Sequence, residues 1–527
     1  MKRVLICTVL AFLPASASAG DLFLTSDNCM ACHNGMISPQ GQDLSIGIDW
    51  RSTMMANASR DPYWQAGVRR ETLDHPKASS AIEHECSLCH MPMAHVQAKA
   101  LGQDESVFVN LGRAATGPRT LLAQDGVSCT VCHQIRPDNF GKPESFVGGF
   151  SIDTDSSHPR KAMGPFDVKG PVARVMASAT LFTPEKASHL RASELCATCH
   201  TLITQALDGD GKPVGRLPEQ VPYQEWLESS FRPSTTCADC HLPKVAGETP
   251  VANLLAEPRS GVGRHEFLGG NFMVPGILKA LRAPMPALGQ DLERDMEKTR
   301  TFLSEKAATL AIVDPAVVEG KLTATLVVEN LAGHKLPTAY PSRRAWLHVV
   351  VKDQAGATLF ESGALDSAGR IVGNDNDTDA TRFEPHHAVI ASSEEVQIYE
   401  AILGDLQGRV TTGLLQATSY LKDNRVLPRG FDKTKAAADV AVKGGALADG
   451  DFSGGADRVG LSVALPKDAI PATLQAELLY TPIGYRWAEN LRVVDSVESR
   501  RFARGHDAMR ARSTQRLAAA VATLPTP

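Results

Sequence analysis

The 527-residue sequence lacks the features of several common functional classes. It has no excess of basic charge, with 54 Lys and Arg against 59 Asp and Glu, so it does not have the composition of a nucleic-acid-binding protein. It contains no Ser-His-Asp order, phosphate-binding loop or metalloprotease motif. Beyond the N-terminal residues no apolar run is long enough to cross a membrane, so no span is predicted in the mature chain.

The N-terminus has the three parts of a secretory signal peptide. Lys2 and Arg3 give a basic start, residues 4–13 form an apolar run, and residues 17–19 (Ala-Ser-Ala) form a small-residue cleavage site. The apolar run is too short to span a bilayer, and retention as an uncleaved anchor is the alternative. We therefore expect a signal peptide at 1–19 and a soluble periplasmic or extracellular mature protein.

No cysteine is left over once the signal peptide and one short pattern are counted. Of 11 cysteines, Cys7 lies in the signal peptide, and the other ten form five copies of Cys-x-x-Cys-His. This pattern is the attachment motif of c-type haem, in which two thiols bond to the porphyrin and the next residue ligates the iron. The sequence therefore predicts five covalently attached haem c groups. From the first motif to the fifth, the attachment cysteines are Cys29 and Cys32, Cys86 and Cys89, Cys129 and Cys132, Cys196 and Cys199, and Cys237 and Cys240. The proximal ligands are His33, His90, His133, His200 and His241.

Two other uses of cysteine were weighed against haem attachment. A disulfide framework in an exported protein would not require a histidine after every second cysteine. A zinc site would need further ligands at regular spacing, and the sequence has none. Five complete motifs in an exported chain favour haem.

The motifs stop at His241, and this divides the chain. Residues 20–275 carry many turn residues and little periodicity, which predicts a pentahaem domain of short helices packed around porphyrins. Residues 276–306 have helical spacing and form a predicted connector. From 307 to 500 alternating apolar runs such as KLTATLVVEN and RAWLHVVVKD predict a β-sandwich-like domain of about seven strands, with a hairpin turn at KDQAGAT.

The Ala- and Arg-rich residues 501–527 are predicted to be a C-terminal helix and tail, with the helical spacing running from Ser499 to Leu524. The predicted fold class is thus α+β: a mostly α-helical and irregular pentahaem c-type cytochrome domain, a β-sandwich-like domain and a C-terminal helix.

The segments around the motifs resemble multihaem cytochromes related to the cytochrome c-554 family. The resemblance is carried by DWRSTMMANASRDPYW, ECSLCHMPM, DGVSCTVCHQI, SELCATCHTL, EQVPYQEWLESSFRPSTTCADCHLP and RHEFLGGNF. The C-terminal segments NLAGHKLPTAYPSRRAWLHV and SYLKDNRVLPRGFDK resemble a domain that accompanies such haem regions in some members.

The resemblance assigns one distal ligand to an unusual residue. In these cytochromes a Trp-x-x-Ser-x-His-Ala segment after the first motif supplies a distal histidine. Here Trp50, Thr53 and Ala56 match that segment, and Met55 stands at the histidine position. A thioether is a normal haem ligand and raises the reduction potential, so Met55 is the predicted ligand. Ligation by Met54, and core packing of both methionines, stay open as alternatives.

Four histidines are the other predicted distal ligands, from the same comparison and their local context. They are His75, His189, His265 and His334, and with Met55 they would close all five irons. His84, His95 and His158 are reserves. Structural or surface roles are expected for His348, His386, His387 and His506.

With every iron closed, the predicted function is electron transfer between redox protein partners, either other cytochromes or a membrane quinol-linked complex. No catalytic residue is predicted. The alternative is a multihaem oxidoreductase that acts on a small nitrogen or sulfur compound at a five-coordinate haem. A structural subunit of a larger redox complex, docked through the β-domain, is compatible with electron transfer.

Overall fold

A computed structural model describes residues 21–111, 115, 117, 119–155, 158–282, 291–467 and 469–524. The predicted signal peptide and residues 283–290 of the predicted connector lie outside this part of the chain. Among the described residues, no helix has both the length and the apolar character needed to cross a bilayer.

The N-terminal half consists of short helices and three two-stranded sheets, in which β1 pairs with β2, β3 with β4, and β5 with β6. The helices are α1 (Ser26–Met30), α2 (Ile46–Arg51), α3 (Pro62–Asp74), α4 (Ser79–His90), α5 (Pro92–Ala100), α6 (Val107–Asn110), α7 (Thr120–Gln124), α8 (Cys129–Cys132), α9 (Gly170–Thr180), α10 (Ser193–Ala197), α11 (Pro222–Leu227), α12 (Cys237–His241) and α13 (Met273–Ala280). The strands are β1 (Arg160–Gly164), β2 (Phe182–Lys186), β3 (Leu202–Leu207), β4 (Pro213–Gln220), β5 (Glu248–Thr249) and β6 (Arg259–Ser260).

The C-terminal half is mainly β-structure. Its helices are α14 (Leu292–Lys306), α15 (Asp375–Thr378), α16 (Tyr485–Arg492) and α17 (Val497–Met509). Its strands are β7 (Ala308–Val318), β8 (Lys321–Asn330), β9 (Arg344–Asp353), β10 (Thr358–Ser362), β11 (Val389–Ile390), β12 (Ile398–Tyr399), β13 (Ala401–Asp405), β14 (Val410–Thr411), β15 (Ala417–Asp423), β16 (Ala456–Ala464), β17 (Pro471–Thr481) and β18 (Gln515–Thr523).

Two sheets form the β-sandwich-like part. One has the order β11-β16-β8-β7, and the other has the order β10-β9-β17-β18 with β12 also paired to β9. Strand β8 alternates in burial, with Leu322, Ala324, Leu326 and Val328 facing the core, as expected for a strand with one apolar face. The predicted hairpin at KDQAGAT is confirmed, since Thr358 pairs with Lys352 across it.

Local capping explains where the principal helices begin. Asp61 accepts hydrogen bonds from the backbone amides of Tyr63 (2.8 Å) and Trp64 (3.3 Å), and Pro62 occupies the first turn of α3. Asp291 accepts from the amide of Arg294 at 2.9 Å and starts α14. These caps fix the N-terminal ends of α3 and α14, and both helices contribute residues to the main hydrophobic core.

One hydrophobic core joins the two halves. It contains inward-facing residues of both large sheets together with residues of α3, α13, α14 and α17, among them Phe272, Met296 and Phe502. The other clusters in the N-terminal half are small. The β-sandwich is therefore packed onto the helical half rather than tethered to it.

The α+β fold class is confirmed, with 32% helix and 25% sheet. The C-terminal tail differs from the sequence prediction. The predicted helix is present as α17, but it ends at Met509, and residues 515–523 form β18 at the edge of a sheet. Strand β17 would otherwise end the sheet with a free row of backbone groups, and residues 515–523 pair with that row while Leu517 packs into the main hydrophobic core.

Candidate functional site

A cavity of about 2750 Å³ lies between the two halves. Drug-sized ligands occupy pockets of about 300–1,000 Å³, so this cavity has room for several large groups. Every cysteine and histidine of the five motifs lies on its wall, as do Met55, His265 and His334. The site is thus a single chamber that collects all five motifs.

The motifs lie on short helices, as predicted. The second motif ends α4, the third begins α8, and the fifth forms α12. Helix α12 has a capping box, in which Thr236 and Asp239 satisfy each other's backbone amides. Such a cap holds Cys237 and His241 in a fixed relation to the cavity.

Four of the five motif histidines have one ring nitrogen held by a backbone carbonyl. In each case Nδ1 is the nitrogen engaged, which leaves Nε2 as the atom free to bind a metal. The pairs are His33 with Val251 (2.6 Å), His90 with Ala58 (3.0 Å), His133 with Met163, and His241 with Leu268. This is the donor arrangement that a haem iron requires of its proximal ligand.

Burial favours the neutral, metal-ligating form of four motif imidazoles, those of His90, His133, His200 and His241. Desolvation lowers the pKa of His90 and of His241 to about 4, and it also lowers the pKa of His133 and His200. Trp64 stacks on the ring of His90, with centroids 4.3 Å apart and planes 5° from parallel. The stack fixes the rotation of that imidazole.

Two motif histidines each face a second histidine across the cavity. The rings of His133 and His265 have centroids 6.3 Å apart with planes at 20°, and those of His241 and His334 are 6.3 Å apart at 10°. If one metal lay between two such imidazoles, with each nitrogen about 2 Å from the metal and about 1.1 Å from its ring centre, the ring centres would be about 6.2 Å apart, taking the zinc–imidazole distance as a guide. Both pairs therefore have the separation of two imidazoles on one iron.

The attachment cysteines of different motifs are in contact. Hydrogen bonding links Cys29 to Cys129, Cys89 to Cys199, and Cys196 to Cys237, and it raises the pKa of the first thiol of each pair. All ten cysteines of the described chain are free thiols. The first motif is thus next to the third, and the fourth is next to the second and the fifth. Free thiols, neutral imidazoles and an apolar chamber together fit haem c.

The two methionines of DWRSTMMANASRDPYW differ in their surroundings. Met54 packs against the main hydrophobic core, whereas Met55 belongs to none of the hydrophobic clusters of the described residues, and both side chains line the cavity. The same segment holds the second motif, because the carbonyl of Ala58 receives the hydrogen bond from His90. Met55 as a ligand stays a prediction.

His75 and His189 lie outside the cavity lining. The Nε2 atom of His75 is buried without a hydrogen-bond partner, while its Nδ1 is 3.3 Å from the carbonyl of Asp208. His189 uses Nε2 to donate to the carbonyl of Ile135 at 2.8 Å, so its Nδ1 is the nitrogen available for a metal. Of the five predicted distal ligands, the structure brings His265 and His334 opposite motif histidines.

Several of the remaining histidines contact other side chains of the described residues. His84 and His95 contact each other, with centroids 4.3 Å apart, and His158 is exposed beside Asp155. His386 receives amide donors on Nδ1 from Gln397 (2.8 Å) and Asn424 (3.1 Å), so its other nitrogen carries the proton toward Asp449. Its cluster with Asp449 and Asp457 is therefore a hydrogen-bonded network in the β-domain rather than an open ligand set.

Sequence reasoning missed the ion pairs formed by the residues next to His265 and His334. Arg264, next to His265, is paired with the buried carboxylate of Asp49 at 2.7 Å. Lys335, next to His334, is paired with the buried Asp423 at 2.6 Å. The only sequence signal for these ion pairs was a basic residue beside each histidine, because the acidic partners lie 215 and 88 positions away.

Ionisable groups without a metal role also line the chamber. Burial raises the pKa of Glu219 to about 7 and raises that of Glu71, and both carboxylates act on the thiol of Cys86 in the second motif. Tyr63 and Tyr340 meet edge to face nearby, with centroids 5.7 Å apart. Acid–base groups therefore stand close to the second motif.

Comparison with known proteins shows the fold. The structure is similar to the crystal structure of a penta-heme cytochrome c552 from Thermochromatium tepidum, with a TM-score of 0.55 and 15% sequence identity over 96% of this chain and 100% of that one. No family model matches the sequence, and no curated protein matches it. The chain has a multihaem cytochrome c-like fold.

Proposed function

We propose that the protein is an exported c-type cytochrome that binds five haems and transfers single electrons between redox partners. When bound, haem c supplies reversible one-electron chemistry at iron. The protein's part is to attach, orient and shield these groups. The ten motif cysteines attach them, and the five motif histidines present Nε2 to the irons.

The observation that carries this proposal is the facing of His133 by His265 and of His241 by His334, each pair at 6.3 Å. An iron closed on both sides by imidazole has no position for a substrate, and this is the ligation of an electron-transfer haem. Contact between cysteines of neighbouring motifs supports a connected series of groups rather than isolated sites. Met55, His75 and His189 are proposed as distal ligands for the other three motifs.

Side chains of the β-domain contribute to the same chamber. Arg343 lines it, and its charge adds to burial in lowering the pKa of both His200 and His334, so it is placed to pair with an anionic group such as a haem propionate. Arg344 is buried in a bidentate pair with Asp377 at 2.7 and 2.8 Å and has a structural role. The two neighbouring arginines thus have different surroundings, one in the chamber wall and one in a buried ion pair.

Electron paramagnetic resonance of the oxidised holoprotein tests the proposal. We expect five low-spin centres per chain, counted against total haem measured as the pyridine haemochrome. A preparation that incorporates no covalent haem, or that lacks low-spin centres, would overturn it.

The second candidate is an oxidoreductase that acts on a small nitrogen or sulfur compound. It is favoured by Glu71, Glu219 and the Tyr63–Tyr340 pair, which give the second motif proton donors and acceptors. A high-spin centre that changes on addition of nitrite, sulfite or hydroxylamine would replace the carrier proposal with this one.

Export to the periplasm or cell surface is proposed from the leader sequence. The proposed partners are redox proteins, either other cytochromes or a membrane quinol-linked complex. Fractionation of cells that express the full chain would test this. Haem-stained protein in the cytoplasmic fraction alone would refute it.

A further inference from the structure

The loop that carries His334 is held from the opposite half of the molecule. Its imidazole faces His241, and its Nδ1 donates to the carbonyl of Lys335 at 2.9 Å, which again leaves Nε2 for a metal. Within the β-domain, Asn330 donates to the carbonyl of His334 at 2.8 Å. The contacts that fix this loop against the helical half come from Glu225.

Glu225 lies on α11, in the half that carries the motifs, and is completely buried. One of its oxygens, Oε2, accepts from the backbone amide of Lys335 at 3.0 Å and from the hydroxyl of Thr338 at 2.5 Å. The other oxygen, Oε1, is paired with Arg425 at 2.9 Å. One carboxylate therefore fixes both ends of the 335–338 segment that follows the histidine.

The charge on Glu225 is balanced by a closed network. Arg425 also pairs with Asp423 at 2.7 Å, and Asp423 pairs with the ammonium group of Lys335 at 2.6 Å. All four side chains are at most 7% exposed, and their two negative and two positive charges cancel. A buried network of this kind has one favourable geometry, so it transmits the position of α11 to the loop.

We propose that Glu225 is a positioning residue for the fifth haem: it holds the His334 loop of the β-domain in place, so that docking of the two halves completes the ligand pair with His241. This inference rests on the proposed function, because it assumes that His334 ligates an iron. It makes the β-domain part of the redox centre rather than an accessory surface.

The test compares variants of the full-length holoprotein by resonance Raman and electron paramagnetic resonance. Glu225→Ala removes all three interactions, and we expect about one fifth of the low-spin haem to become high-spin. Glu225→Gln can keep an oxygen toward Lys335 and Thr338 while losing the ion pair, and we expect it to retain most of the low-spin signal. Asp377→Asn is the matched control, because it removes a buried Arg-paired carboxylate that contacts neither His334 nor its loop.

A milder variant keeps the test valid if Glu225→Ala does not accumulate. Thr338→Val conserves volume and removes a single hydrogen bond to Glu225. We expect carbon monoxide to bind one haem of the reduced variant several-fold faster than in the wild type, because the loop releases His334 more readily. Unchanged carbon monoxide binding in this variant would overturn the proposal.

The His334→Ala variant distinguishes failure of the positioning role of Glu225 from failure of the assignment of His334 as a ligand. If it converts one haem to high-spin while Glu225→Ala leaves all haems low-spin, the positioning role is refuted and the ligand assignment stands. If His334→Ala changes no haem, the ligand assignment itself fails. An equal loss in Asp377→Asn would show that the effect is general destabilisation and would also refute the proposal.

Discussion

Replacement of Asp49 by Asn should destabilise the holoprotein and loosen the distal side of the third haem. The Asp49 side chain is 3% exposed, and it pairs with Arg264 at 2.7 Å, with Arg294 at 3.0 Å and with Lys298 at 3.7 Å. Arg264 lies in the His265 loop, and Arg294 and Lys298 lie on α14. Through these ion pairs, Asp49 links both elements to the segment after the first motif. Asn keeps the shape of the side chain but removes the charge that all three bases share.

The expected cost follows from the exposure of each partner. Breaking a buried ion pair costs about 3–5 kcal/mol when the remaining charge stays buried. Here Arg264 is 13% exposed, whereas Arg294 and Lys298 are 42% and 30% exposed and can regain hydration. Arg264 also keeps a second carboxylate partner, Glu266 at 3.3 Å, so its charge is not left unpaired. We therefore expect Asp49→Asn to lower the free energy of unfolding by about 2 kcal/mol, most of it from Arg264.

Urea unfolding followed through haem absorbance measures this change, with the free energy taken from the slope and midpoint. Glu293→Gln is the control. It breaks pairs with Lys279 and Arg512 at 2.8 and 2.7 Å, but its side chain is 34% exposed. The control should cost less than about 1 kcal/mol. A change in Asp49→Asn no larger than in the control would refute the reasoning from burial.

Three further predictions concern the ligands and the pH response. His265→Ala and His334→Ala should each convert one haem to high-spin, and the double variant should convert two; electron paramagnetic resonance counts them, and a change in neither variant would contradict the pairing with their motif histidines. Met55→Ala should abolish the thioether–iron charge-transfer band of the oxidised protein; a band that survives, or is absent from the wild type, would refute Met55 as a ligand. Burial raises the pKa of Asp61 to about 7. The folded protein therefore keeps the proton of this carboxyl up to about pH 7, whereas the unfolded chain loses it near pH 4. The free energy of unfolding thus falls as the pH rises between those two values. Asp61→Asn, which can still cap α3, should gain about 2 kcal/mol relative to wild type between pH 5 and pH 8, measured by urea unfolding; a difference that does not depend on pH would refute the shift.

The local features of the fold were predictable because they depend on neighbouring residues. Strands such as 321–330 and 344–353 follow from alternation of apolar and polar side chains, and the hairpin between Lys352 and Thr358 follows from its turn residues. The terminal strand 515–523 was not predictable in the same way. Its sequence has the spacing of a helix, and its strand conformation depends on the edge that β17 provides.

The candidate site likewise has features that the local sequence predicts and features that depend on tertiary structure. Covalent attachment of haem c requires two thiols and an imidazole within five consecutive residues, so the sequence by itself was enough to predict five attachment motifs and their proximal histidines. Which histidine stands opposite which motif depends on chain segments far apart in sequence, such as His241 and His334. Only the tertiary structure decided that His265 and His334 face motif histidines at 6.3 Å, and that Asp49 and Glu225 hold them. The physical reason is that a distal ligand is selected by its position in space, and position is set by packing of the two halves around one chamber.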